Sequence, residues 1–242
     1  MIQNWTIGII CFNERGTIAQ VFQAVWQLLN DGKRKFEIIL VDDASTDGSK
    51  EIIQDIAERH PQSVKTILHE KNQGIGEAIR AVYFNAKMEN VVFVPGDGQF
   101  EVAELQPYLS FDNMKYICFY RRENQTYSGF RNALSYLNKL YNKLFLGLTL
   151  RDVNWVKAYK TEVIQNLDLK MHSSVIESEI CAKLNYLKYT PVEVESKYLP
   201  RSYGQSKGAS LQNIMRVFRE LSKLTAILLH FKLSTRKSKM LL

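Results

Sequence analysis

Apolar and polar positions follow two different periods along the first hundred residues. Trp5–Phe12, Phe36–Val41 and Val91–Val94 are near-continuous apolar runs, carrying Ile7, Ile9 and Ile10, then Ile38, Ile39, Leu40 and Val41. That is the pattern of strands covered on both faces, the habit of a parallel sheet. A shorter segment, 64–68, reads as a further strand. Between them, apolar residues recur at helical spacing: Ile18, Val21, Phe22, Val25, Trp26, Leu28 and Leu29; then Ile52, Ile53, Ile56 and Ala57; then Ala78, Ile79, Ala81, Val82 and Ala86. Asp31-Gly32 and Pro61 supply stops, and Ser45-Thr46-Asp47-Gly48 is a turn that caps the second helix. Strand–helix alternation from the start predicts right-handed βαβ units and an α/β, doubly wound, mostly parallel sheet.

After Gln99 the pattern changes. It predicts a short helix over 101–109, a strand over 116–120 ending in Arg121-Arg122, and a polar stretch over 123–131. A helix over 130–150 follows, rich in Leu, Tyr and Phe, with Lys139 and Lys143 interleaved. Then come a strand over 153–159, a short helix over 161–165, a helix over 173–184 bearing Glu177 and Glu179, and a strand over 189–194. A polar loop, 200–207, leads into a last helix. In this helix Leu211, Ile214, Met215, Phe218, Leu221, Thr225, Leu228 and Leu229 share one face, while Arg216, Arg219 and Lys223 lie elsewhere. The expected organisation is a catalytic domain over 1–208 (about 1–100 the nucleotide-binding half, 101–208 the acceptor half) and a basic amphipathic helix and tail over 209–242.

The length, 242 residues, allows one large domain with a sizeable core. Cys11, Cys118 and Cys181 are odd in number, far apart and set in apolar sequence, so they read as reduced core residues of a cytoplasmic protein. His60, His69, His172 and His230 show no metal-ligand spacing. Net charge is +7, and from Lys197 onward ten Lys/Arg face the single acid Glu220, so the whole excess belongs to the tail. A basic folded face with base-reading residues is not evident, and no nucleic-acid partner is expected. The N-terminus has no basic segment before its apolar run, so no signal peptide is read there. No stretch reaches the ~20 apolar residues of a spanning helix. The last helix, about 31 Å long over 211–231, is broken by charges and is expected to lie on an anionic membrane surface through residues 211–239, placing the protein peripherally at the cytoplasmic face.

Chemistry gathers at the predicted strand ends. Ligands of open α/β sheets bind outside the carboxyl ends of strands, and there the chain carries Phe12-Asn13-Glu14, Val41-Asp42-Asp43 with Asp47-Gly48, Asn72-Gln73-Gly74-Ile75-Gly76, and Gly96-Asp97-Gly98-Gln99. The Gly74-x-Gly76 run lacks the third glycine of a dinucleotide fingerprint, and the acid pair precedes it rather than following, which argues against an NAD enzyme. In order and spacing the four segments resemble the family 2 nucleotide-sugar glycosyltransferases, most closely the dolichyl-phosphate (polyprenyl-phosphate) sugar synthase branch, over roughly residues 5–207.

The resemblance implies a GT-A fold and transfer of a sugar from a UDP- or GDP-sugar to a polyprenyl phosphate, with inversion. It implies that Asp43 contacts the nucleotide base, that Phe12 and Glu14 line the same pocket with Val41 beside it, and that Gly74, Gly96 and Arg121 lie on the donor side. Asp97 and Gln99 match part of a D-x-D-x-Q motif that holds Mg²⁺ or Mn²⁺. The first acid of that motif is Pro95 here, so a weak, donor-dependent metal site is expected. Arg201 and Lys207 match an R-x-x-G-x-S-K loop that clamps the diphosphate, with Gly204 and Ser206 letting it close. Glu179 matches the lone glutamate of the lipid-phosphate branch. A glycan hydroxyl as acceptor would instead need a carboxylate base, for which Glu177 or Glu179 are the candidates. The lost acid at Pro95 also leaves open a non-catalytic relative that binds nucleotide or membrane.

Overall fold

The structure, a computed structural model, describes residues 2–121, 129–203 and 211–240. The side chains within 129–135, 211–218 and 236–240 lie outside that description, as do Lys207 and most of the predicted polar stretch over 123–131.

The first half folds as its periods predict. β1 (Trp5–Cys11), β2 (Phe36–Asp42), β3 (Val64–Leu68) and β4 (Asn90–Pro95) alternate with α1 (Ile18–Leu29), α2 (Ser49–Arg59) and α3 (Ile75–Asn85). β1 pairs in parallel with β2 on one side and β4 on the other, and β2 pairs in parallel with β3. The register sets Cys11, Asp42 and Leu68 side by side, with Pro95 opposite Ile10. All four strands therefore deliver the residues that follow them to one edge. Period-2 alternation divides each strand between two core layers. Ile39 and Val41 pack toward α3, and Ile38 and Leu40 toward α1 and α2. Gly8 marks the closest approach of α3 to the sheet, since a Cβ there would sit 2.3 Å from the methyl groups of Val82.

A 3-10 helix (Val102–Tyr108) leads to β5 (Lys115–Arg121), α4 (Gly129–Leu146), β6 (Lys157–Lys160), α5 (Thr161–Gln165), α6 (Ile176–Tyr186), β7 (Thr190–Ser196) and α7 (Leu211–Met240). The sheet order is β3-β2-β1-β4-β6-β5-β7. β6 runs antiparallel to both β4 and β5, and β7 is parallel to β5. The two reversals cancel, so β5 points the same way as β4 and Arg121 reaches the same edge as Pro95. The strand predicted over 153–159 is shorter than expected, because the buried Lys157 ammonium folds back onto the carbonyls of Val153 and Trp155 and bends the chain before the strand begins.

The predicted amphipathic helix is α7, and among its described residues part of the apolar face is already covered. Leu221, Leu224 and Leu228 are buried in the core shared with α4 and α6. The Tyr141 hydroxyl bonds Leu221 O and Thr225 Oγ1, and the Glu220 carboxylate accepts from the Ser173 N–H at 3.1 Å and its hydroxyl at 2.7 Å. Burying Leu224 alone is worth about 1.5–3 kcal/mol, more than any one surface contact offers. Leu229 and Leu233 remain on the outside. Among the described residues no helix is long and apolar enough to cross a membrane.

Candidate active site

The loops after β1 and β2 interlock. Asn13 and Ala44 both take positive φ, at 59° and 62°, turning the chain sharply at each strand tip. The Asn13 N–H donates to Ser45 Oγ at 2.9 Å, and Asn13 Oδ1 accepts from Thr46 N at 2.8 Å. Glu14 N donates to Ser49 Oγ at 2.9 Å and Arg15 N to Asp47 Oδ2 at 3.0 Å. Burial opposes the charge of Asp47, but the Ser49 hydroxyl and the N–H groups of Arg15 and Ser49 hold its carboxyl below the usual range. Two loops far apart in sequence become one rim, on which Phe12 is half-buried.

Asp43 sits beside this rim with its carboxylate turned toward the loop after β3. Oδ1 lies 2.7 Å from His69 Nδ1 and accepts the Gln73 N–H at 2.8 Å, while Oδ2 accepts the Gly74 N–H at 2.8 Å. Gly74 takes φ 92° to present that N–H at the start of α3. Asp43 thus holds the 69–74 loop in place. His69 was not singled out by its sequence, yet it stands one residue beyond β3 as Asp43 stands one beyond β2, and the parallel register makes them neighbours. Val41 does not border the crevice: it is wholly buried among core side chains, so the expectation that it lies beside the base pocket is corrected to a core role.

Glu14 and Asp97 form a second group, and Arg201 joins them. The Arg201 Nη2 donates to Glu14 Oε1 and lies 3.4 Å from Asp97 Oδ2. The segment carrying Arg201 is anchored by the loop after β4. Gly96 N donates to Ile10 O at 2.9 Å, and the Thr17 hydroxyl to Gly96 O at 2.7 Å. Leu199 N donates to Gln99 O at 3.0 Å, Gln99 Nε2 donates to Leu199 O at 3.3 Å, and Phe100 bridges to Tyr198. Asp97 Oδ1 accepts the Gln99 N–H at 3.0 Å. Burial pushes the Asp97 carboxyl up, against this N–H and the Arg201 charge. Arg121 stands further along the edge, its guanidinium held by Asp152 at 2.7 and 3.2 Å and stacked 4.7 Å from the Trp155 ring and 5.6 Å from that of Tyr198. It braces Tyr198, and so the approach to Arg201. Lys207 lies outside the described residues.

The residues present do not make a metal centre by themselves. Pro95 has no side-chain ligand, Asp97 is the one carboxylate of the motif, and no group of three or more His, Cys, Asp or Glu that could hold a metal occurs among the described residues.

Glu177 and Glu179 are inside the protein, and this corrects their candidacy as bases. Glu177 accepts from the hydroxyls of Tyr83 at 2.8 Å and Tyr159 at 2.7 Å and lies 3.3 Å from Lys157 Nζ. Burial works to lower the Lys157 pKa, and the Glu177 carboxylate overrides it and raises it. Glu179 accepts from Lys170 N and Met171 N and pairs with Lys183 at 2.6 Å. Both carboxylates are enclosed on α6, too far inside to meet a substrate proton.

The model of the family described as glycosyl transferase family 2 matches residues 6–164, from β1 through α5. The chain belongs to glycosyl transferase family 2. It is 25% identical over 208 residues to the undecaprenyl-phosphate 4-deoxy-4-formamido-L-arabinose transferase of Edwardsiella ictaluri, covering 85% of this chain and 63% of that protein. The transferase of the same name from Proteus mirabilis is 26% identical over 229 residues, 93% of this chain and 68% of its own length. Among solved structures, glucosyl-3-phosphoglycerate synthase from Mycobacterium tuberculosis in complex with UDP superposes with a TM-score of 0.66 at 16% identity, over 93% of this chain and 80% of that one. The same synthase with Mn²⁺, UDP and phosphoglyceric acid gives a TM-score of 0.60 at 18% identity, over 90% and 78%. These likenesses establish the GT-A glycosyltransferase fold.

Proposed function

We propose that this family 2 chain transfers a sugar from a nucleotide-diphosphate sugar to a polyprenyl phosphate. The observation that carries the choice of acceptor is the enclosure of Glu177 and Glu179. A sugar hydroxyl must lose its proton to attack, and the two glutamates nominated for that task face Tyr83, Tyr159, Lys157 and Lys183 instead. A lipid phosphate is already an anion. Its oxygen bonds to the anomeric carbon, the bond from that carbon to the diphosphate breaks, and the nucleoside diphosphate leaves with the electron pair. Attack from the far side inverts the centre.

In this reading the base enters beside Phe12, Asp43 and the Gly74 loop, the diphosphate lies over Gly96 and Asp97, and Arg201 and Lys207 offset its growing charge. The acceptor arrives from a membrane surface. Exposed Leu137, Leu144 and Phe145 on α4, next to Lys139 and Lys143, and exposed Leu229 and Leu233 on α7 support this. The names of the curated relatives agree with a polyprenyl-phosphate acceptor.

The test is a panel of radiolabelled UDP- and GDP-sugars offered with undecaprenyl phosphate or with free oligosaccharides. Label moving into the chloroform phase only when lipid phosphate is present supports the proposal. Label moving onto oligosaccharide, with indifference to lipid phosphate, refutes it.

A further inference from the structure

Two would-be metal ligands at the tip of β4 are engaged in another task. Asp97 Oδ1 accepts its own loop's Gln99 N–H at 3.0 Å, and the Gln99 side chain donates to Leu199 O at 3.3 Å. Gln99 also accepts the Leu199 N–H through its main-chain carbonyl at 3.0 Å. The motif therefore docks the 198–201 segment, and that segment ends in a cation, with the Arg201 guanidinium on Glu14 and 3.4 Å from Asp97 Oδ2. Mg²⁺ binds carboxylate oxygens at about 2.0–2.1 Å and keeps an octahedral shell around itself. With Arg201 3.4 Å from Asp97 Oδ2 a cation already stands beside that oxygen, and Pro95 offers no side chain to add a second carboxylate to an ion there. The Arg201 Nε–H is enclosed and has no acceptor among the described residues. A buried donor without an acceptor is costly, and a phosphate oxygen of a donor would satisfy it.

Resting on the function proposed above, we propose that Arg201 is the resident cation of the donor site: seated on Glu14 and beside Asp97, its guanidinium supplies the positive charge that a divalent ion on Asp97 would supply, and nucleoside diphosphate binding depends on Arg201 rather than on Mg²⁺ or Mn²⁺. The planar guanidinium can keep one edge on the carboxylates while its other N–H groups meet the diphosphate. The loss of the first acid at Pro95 and the docking of Leu199 on Gln99 are then two parts of one exchange, a metal ligand set replaced by a tethered arginine.

The test is isothermal titration of UDP and GDP into the full chain, in EDTA and then in MnCl₂, for the wild type, Arg201→Gln and Arg201→Lys. Thermal melting confirms that each variant is folded. The wild type is expected to bind one of the two with Kd values in EDTA and in MnCl₂ within about twofold. Arg201→Gln is expected to lose roughly tenfold or more in EDTA, the scale of one charge-assisted hydrogen bond, with Arg201→Lys in between. Wild-type binding that tightens roughly tenfold or more on adding Mn²⁺ overturns the inference and leaves the proposed function standing. Unchanged binding by Arg201→Gln in EDTA also overturns it. A folded wild type that binds neither nucleotide in either condition removes the proposed function, and this inference with it.

Discussion

Glu179 offers the sharpest separation between a structural and a chemical role. Replacing it with alanine removes the acceptor for the main-chain N–H groups of Lys170 and Met171 and the partner of Lys183. Lys183 is itself only 1% exposed, and its remaining partners, the Asp168 carbonyl and the Phe231 ring, carry no counter-charge. Breaking a buried pair by deleting one side leaves a charge enclosed without its counter-charge, which costs about 3–5 kcal/mol. For a chain of this size each kcal/mol moves Tm by roughly 2–4 °C, so a fall of about 6–20 °C is expected. Glu179→Leu combined with Lys183→Met replaces both charges with apolar groups of similar volume and is expected to recover the enclosed-charge part of that loss, but not the part from the Lys170 and Met171 N–H groups left without their acceptor. Differential scanning calorimetry of the two single variants and the double gives the coupling directly. If Glu179→Gln melts with the wild type while transfer to any acceptor falls a thousandfold, the structural reasoning fails and Glu179 is a base after all.

Four further outcomes follow from the same geometry. A Cβ on Gly76 would lie 2.4 Å from the carbonyl oxygens of His172 and Ser173, so Gly76→Ala is expected to lose about 1–3 kcal/mol in a urea melt, and a stability equal to wild type would contradict the close approach. Asp43→Ala frees His69 and the N–H groups of Gln73 and Gly74, and limited proteolysis is expected to cut within 69–74 faster than in the wild type, with weakened nucleotide binding. Leu224→Asp puts a charge into a fully buried position and is expected to abolish a cooperative melt. Leu229→Asp with Leu233→Asp, both exposed, is expected to leave Tm unchanged while reducing co-sedimentation with anionic vesicles.

Much of the fold was legible because its elements announce themselves locally. Ile38 to Val41 is apolar at every position, the run that a strand covered on both sides uses; the alternation of Ile39 and Val41 with Ile38 and Leu40 between two cores is the physical counterpart. The edge at which the chemistry gathers followed from the parallel order of the strands. What the pattern misread were positions whose meaning depends on distant partners. Val153 to Tyr159 has the composition of a strand, but the Lys157 ammonium satisfies two carbonyls and bends it. Glu177 and Glu179 read as candidate bases on a helix, and their charge is answered inside by tyrosines and lysines from β6, α3 and α6 itself. On α7, Leu221, Leu224 and Leu228 are covered by the protein while Leu229 is exposed, because an apolar stripe does not say whether protein or lipid will cover it.

The sequence by itself determined the alternation of strands and helices, the strand-tip motifs that mark family 2, and the departure at Pro95, because each of these is written in neighbouring residues. Only the tertiary structure decided that Arg201, 187 positions away in the chain, rests on Glu14, that Asp43 is bound to the β3 loop, and that α7 spends Leu221, Leu224 and Leu228 on the protein's own core. The physical reason is one of range. Periodicity and turn chemistry act between residues a few positions apart, whereas charge pairing and burial depend on which surfaces meet once the sheet has closed its order.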